Sequence, residues 1–137
     1  MASELRVNTL KDASGNNSVA TSVVAGGSAK AWVNFNGTGT IAARDSNNVS
    51  SLTDNGTGDH TTNFSSSMSN TNFMFNSTTS GDNGNIGYTV PKGPVNLEFV
   101  YATSSIRSGS GFASDLLSTA SAVNPHQFNV SVHGDLA

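Results

Sequence analysis

The large apolar residues of this chain recur at every second position, and that alternation restricts what the chain can fold into. "VNLEFVY" sets Val95, Leu97, Phe99 and Tyr101 on one side, and "AWVNFN" alternates Val33 and Phe35 with Asn34 and Asn36. "FNVSVH" alternates Phe128, Val130 and Val132 with Asn129, Ser131 and His133. "TNFMFN" flanks Met74 with Phe73 and Phe75, and "NIGYTV" carries Ile86, Tyr88 and Val90 in the same rhythm. A period of two belongs to a strand with one face on a core and the other in water. Between the runs lie "NGTG" at 36–39 and again at 55–58, "SGDNGNIG" and "RSGSGFASD". These are rich in residues that accept a left-handed backbone and read as turns and loops. Short strands separated by such turns predict an all-β, antiparallel β-sandwich rather than a helix-covered parallel sheet.

Composition agrees with strands and raises the question of what fills the core. Ser, Thr, Asn and Gly supply 67 of 137 residues, a bias shared with disordered linkers, and the periodicity is what argues for order here. Helix formers are scarce, with two Glu, one Gln and three Lys against 14 Thr and 12 Val. The large apolar residues number 35, few for a self-contained domain of this length, which points to a core shared between copies. Six basic and nine acidic residues are scattered singly, so no stripe exists to hold a nucleic-acid backbone. No run approaches the roughly 20 apolar residues of a membrane-spanning helix, so no membrane insertion is expected. There is no cysteine, and "MASELRVNTLKDASG" has no apolar segment of the kind found in a secretory signal.

Residues 1–30 differ from the rest. Leu5, Val7 and Leu10 precede "DASGNNS", and "VATSVVAGGSAKA" follows: two short apolar runs around a turn, ending in a small-residue connector. They read as an N-terminal attachment or trimerisation arm, with a β-domain over residues 31–137. An arm with so few aliphatic residues cannot form a core alone and must dock on something. In the β-domain only "FASDLLSTASAV", residues 112–123, has helical spacing, through Phe112, Leu116 and Ala120. A loop or a single turn fits that segment equally well.

The ionisable residues form no known catalytic or metal pattern. His60, His126 and His133, with Glu4, Asp45, Asp54, Asp59, Asp82, Glu98, Asp115 and Asp135, show no H-x-x-x-H spacing, and no G-x-S-x-G occurs. Asp54 and Asp59, across the second "NGTG", read as turn-forming residues rather than a glycosidase pair. The "DNGTGD" stretch is too poor in acids for a calcium loop. The Gly-rich segments lack the lysine and helix of a phosphate cradle. No catalytic residue, metal or cofactor is therefore expected. Trp32 and the strand aromatics read as core or interface residues, while Phe112, in a Gly/Ser segment, is the better exposed candidate for stacking on a sugar.

The segment "AWVNFNGTGTIAARDSNNVSSLTDNGTGDHTTNFSSSMSNTNF", residues 31–73, resembles the C-terminal domain of bacteriophage tail-fibre and virion-appendage proteins, common in phages of marine bacteria. "ELRVNTLKDASGN" is similar to the segment that often precedes that domain, and "FNVSVHGD" to its closing strand. Residues 76–125 share no motif with it. Two positions depart: His60 stands where the family commonly has an aromatic, and "SSSMSNTNF" replaces a more proline-bearing turn. The resemblance implies a homotrimeric, β-rich, non-enzymatic virion component, jelly-roll-like in form. Its arm would meet other virion proteins and its distal surface a host glycan or receptor. It also implies that 49–66 is a solvent-facing polar hairpin, with Asn55 and Gly56 in the left-handed region. As a fibre tip, head fibre or decoration protein, it would be assembled in the host bacterial cytoplasm and reside in the virion.

Loops on a rigid β scaffold are where binding sites usually sit. The expected contact loops are therefore 76–87 and 103–115, with Asp82, Asn83, Asn85, Arg107 and Phe112 as ligand-binding candidates. A glycan-binding adhesin or lectin module is the alternative reading, and a polysaccharide depolymerase the more distant one.

Overall fold

The alternating runs become two antiparallel four-stranded layers packed face to face. The computed structural model describes residues 3–80, 86–91, 100–113 and 121–137. In chain order these hold β1 (Thr9–Leu10), β2 (Val19–Ala20), the helix α1 (Thr21–Gly27), β3 (Ala31–Asn36), β4 (Ala42–Asn47), β5 (Val49–Gly56) and β6 (Asp59–Phe64). There follow β7 (Met74–Thr79), β8 (Ile86–Pro91), β9 (Tyr101–Ala102), β10 (Ser105–Ala113), β11 (Ser121–Ala122) and β12 (Phe128–His133). The first sheet runs β4-β3-β12-β7. In the second, β5, β6 and β10 are neighbours and β8 lies on the far side of β10. The short β9 pairs with the same edge of β10 as β8, and β11 with the same edge as β6. Apart from Val100 and Tyr101, the "VNLEFVY" run lies outside the described residues.

Burial follows the sequence rhythm. On β3, Ala31, Val33 and Phe35 are buried, and on β12, Phe128, Val130 and Val132. Phe64 and Ile106 come from the second sheet, and Met68 and Phe73 from the segment between β6 and β7. Phe35 and Phe128 stack at 5.0 Å between ring centroids, and the His60 ring meets Phe35 edge-on at 5.4 Å. His60 is fully buried and serves as the third aromatic of this cluster. The inner face of the second sheet also carries small or polar side chains, Thr62, Ser108 and Ser110. Small side chains on one inner face leave room for bulky ones on the other when two layers interdigitate. Each fully buried Phe contributes about 1.5–3 kcal/mol.

One residue turns the chain from the first sheet into the second. Asn48, between β4 and β5, has φ of +53°, a left-handed conformation that asparagine tolerates better than most residues. Its Nδ2 donates to Lys30 O and Ser66 O, both at 3.0 Å, and its Oδ1 accepts from Ser66 N at 2.7 Å. One side chain thus ties the start of β3, the β4–β5 corner and the end of β6.

The polar hairpin of residues 49–66 departs from expectation in two ways. Its first strand, β5, is mostly exposed, but on β6 Asp59, His60, Thr62 and Phe64 are buried, because β6 is an inner strand between β5 and β10. The left-handed positions are Gly56 (φ +129°) and Gly58 (φ +67°), not Asn55. Glycine is required at 58 on a second ground, since a Cβ there would lie 2.4 Å from Ser110 O. Asn55 instead donates through Nδ2 to Thr61 Oγ1 at 2.8 Å.

The first thirty residues contain a small hairpin and a helix. Leu10 pairs with Val19 and Thr9 with Ala20. Asp12 organises the turn, its Oδ1 accepting from Ser14 N and Asn16 N at 3.0 and 2.8 Å. The helix forms against local propensity: "TSVVAGG" has two β-branched valines, two glycines and no side-chain cap. From residue 3 to residue 28 only Val19 and Thr21 are even half-buried.

Candidate functional site

The ligand-binding candidates separate. Asp82, Asn83 and Asn85 lie outside the described residues. Arg107 and Phe112 sit within β10 and not in a loop: Arg107 is opposite Thr61, and Phe112 is opposite Gly87 on one side and Ser121 on the other. The expected loop 103–115 is thus largely strand, because small residues of "SIRSGSGFA" fit an inner strand paired along both edges. The expected loop 76–87 is likewise strand at both ends, in β7 and β8.

Arg107 has a structural partner. Its Nε and Nη2 donate to the two carboxylate oxygens of Asp59 at 2.8 and 2.6 Å. The pairing follows from register: Asp59 faces Gly109, so Arg107 is its diagonal neighbour on the same sheet face. Hydrogen bonding to Asp59 raises the Arg107 pKa above its usual value, with the carboxylate charge reinforcing it against partial burial. On the arginine side the charge is lost only as pH climbs past the raised value, so Arg107 stays charged across the working range. Asp54 forms a turn contact, accepting from Gly56 N at 2.9 Å. Among the described residues no three His, Asp or Glu side chains come close enough to hold a metal ion.

The outer face of the first sheet gathers functional groups that loop-based reasoning overlooked. Trp32 stands between inward-facing Ala31 and Val33, so the pleat turns it outward, 36% exposed. Of the core-or-interface reading of Trp32, the alternation that buries its neighbours removes the core half. Across the sheet Trp32 lies opposite Asn47 on β4 and Ser131 on β12, and Ser131 is opposite Asn76 on β7. The next row runs Asp45, Asn34, Asn129 and Thr78.

This second row is internally bonded. Asn34 Nδ2 donates to Asn129 Oδ1, and Asn129 Nδ2 donates to Thr78 Oγ1 at 3.0 Å. Arg44 occupies a β-bulge opposite the Asn34–Phe35 step, which aims its guanidinium along the face. It donates to Asn34 Oδ1 at 3.4 Å, to Phe35 O at 3.3 Å and to His126 O. One directional chain of donors, Arg44 to Asn34 to Asn129 to Thr78, braces all four strands. Beside it a shallow depression of about 90 Å³ is lined by Asn76, Ser77, Thr78, Asn129, Val130 and Ser131. His133 lies at the end of β12 opposite Met74, which is 58% exposed.

Compared with known proteins, the chain matches no family model, no curated protein and no solved structure.

Proposed function

We propose that the chain is a non-enzymatic structural protein of a bacteriophage virion. It is a homotrimeric appendage of jelly-roll-like sandwiches, serving as a fibre tip, head fibre or decoration protein that meets the host surface. The observation that carries this reading is an unequal division of apolar surface. A sandwich with a packed aromatic core is joined to an arm whose Leu5, Val7, Leu10, Val23 and Val24 are exposed. Exposed aliphatic residues on a hairpin and a seven-residue helix need a partner, and in an appendage that partner is the other two copies or the virion. The words shared with phage fibre domains in residues 31–73 and at the C-terminus support the same reading.

In a trimer, one weak site per copy held at fixed spacing gains avidity on a repetitive glycan. The test is mass spectrometry of gradient-purified virions from an infected host. The chain is expected at a fixed copy number divisible by three, and its absence from intact particles would refute the assignment. A lectin-like module is the second reading, favoured by the outward-facing Trp32. It would bind cells as a purified protein yet be absent from virions.

A further inference from the structure

We infer that the outer face of the first sheet is a binding site for an uncharged hexopyranose oligosaccharide, with Trp32 as its stacking platform. The inference rests on the surface-binding role proposed above and gives it a place and a ligand class. The two rows of this face differ in what they have left to offer. In the row of Asp45, Asn34, Asn129 and Thr78, the last three side chains, joined by Arg44 from the bulge, are committed to one another's hydrogen bonds and hold the strands in position. In the adjacent row, Asn47, Trp32, Ser131 and Asn76, the side chains of Asn47, Ser131 and Asn76 take no hydrogen-bond partner among the described residues. An aromatic ring flanked by amide and hydroxyl groups suits a pyranose, which presents an apolar C–H face to the ring and hydroxyls around its rim. Strands are about 4.8 Å apart, close to the length of one sugar unit, so a chain laid across β4, β3, β12 and β7 meets one side chain per residue. The depression beside Ser131 and Asn76 receives a ring substituent.

Charge decides against an ionic ligand. Arg44 is turned into the ladder and the main chain, and Asp45 Oδ1 accepts from Ser46 N at 2.9 Å. Trp32, Asn34, Asn76, Thr78, Asn129 and Ser131 bring no formal charge to the centre of the face. Arg44 keeps its charge at the β4 edge, beside Asp45, but the row of Asn47, Trp32, Ser131 and Asn76 carries none. A uronic or sialic acid seated on that row would lose hydration without a cation in the row to offset it.

Trp32 is the only tryptophan in the chain, so its fluorescence reports on this face alone. The full chain would be titrated with maltohexaose, cellohexaose and chitohexaose, with a polygalacturonate oligomer as the charged control. A saturable change in Trp32 emission with at least one neutral probe and none with the control is expected. Asn76→Ala with Ser131→Ala, which keeps the fluorophore and alters outward-facing residues, should weaken binding about tenfold, or ~1.4 kcal/mol. Trp32→Ala, followed by calorimetry and checked for an unchanged melting transition, should abolish it. No saturable change up to millimolar sugar would overturn the site. So would emission that shifts on dilution but not with sugar, since the face would then be an interface between copies. The two proposals fail separately: sugar binding by a chain absent from virions sinks the appendage and keeps the site, whereas a virion component that ignores all neutral probes does the reverse.

Discussion

The arm and the sandwich are built from the same alphabet but with opposite outcomes. In the sandwich, alternation delivers Phe35, Phe128, Val33, Val130 and Val132 to one interior, all at most 3% exposed. In the arm, Leu5 is 80% and Val23 62% exposed. The difference lies in partners rather than composition. β3 and β12 are paired along both edges and faced by a second sheet, whereas β1 and β2 are two residues each and pair only with one another. A two-stranded ribbon and an uncapped helix with valine and glycine in its interior are marginal alone. In the trimeric appendage proposed above, the arm would take its stability from what it docks on.

That contrast can be broken at several points. Deleting residues 1–29 has the largest expected effect: in native mass spectrometry the trimer should fall to monomers that still melt cooperatively. A truncated chain that stayed trimeric would move the association surface to the sandwich. Next comes Phe128→Ala, which removes a fully buried ring stacked on Phe35 and should cost about 3–5 kcal/mol in urea unfolding. Asn48→Ala should cost about 2–4 kcal/mol, combining three lost hydrogen bonds with a left-handed alanine. Asn48→Gly, which restores the backbone freedom but not the bonds, should recover part of that loss. The smallest effect on folding belongs to Leu10→Asp, within about 0.5 kcal/mol for the sandwich, although it should weaken association measurably. A Leu10→Asp sandwich that unfolds with the severity of Phe128→Ala would erase the distinction between the two regions.

What the sequence reveals about this molecule tracks how local each feature is. Strict alternation in "AWVNFN" and "FNVSVH" foretells β3 and β12 down to which side chains face inward. The same rule places Trp32 outside, but the size and apolarity of the residue argue for burial, and the pleat prevails. β10 is hidden because Ser105 to Ala113 contains small residues where a strand usually carries large ones. Its strand character comes from β6 and β8 on either side, which is not written in its own residues. The Asp59–Arg107 pair spans two strands far apart in sequence and depends on their register. The turn at Gly58 is legible as a turn, but the second reason for glycine there, beyond its left-handed φ, comes from Ser110 and Val123.

The claim on which the rest depends is that this chain does not stand alone. Light scattering on the purified full-length chain, diluted stepwise toward nanomolar concentration, addresses it most directly. The account predicts a mass near three times the 14.0 kDa of one chain, persisting through dilution. A stable, folded monomer at every concentration would contradict it.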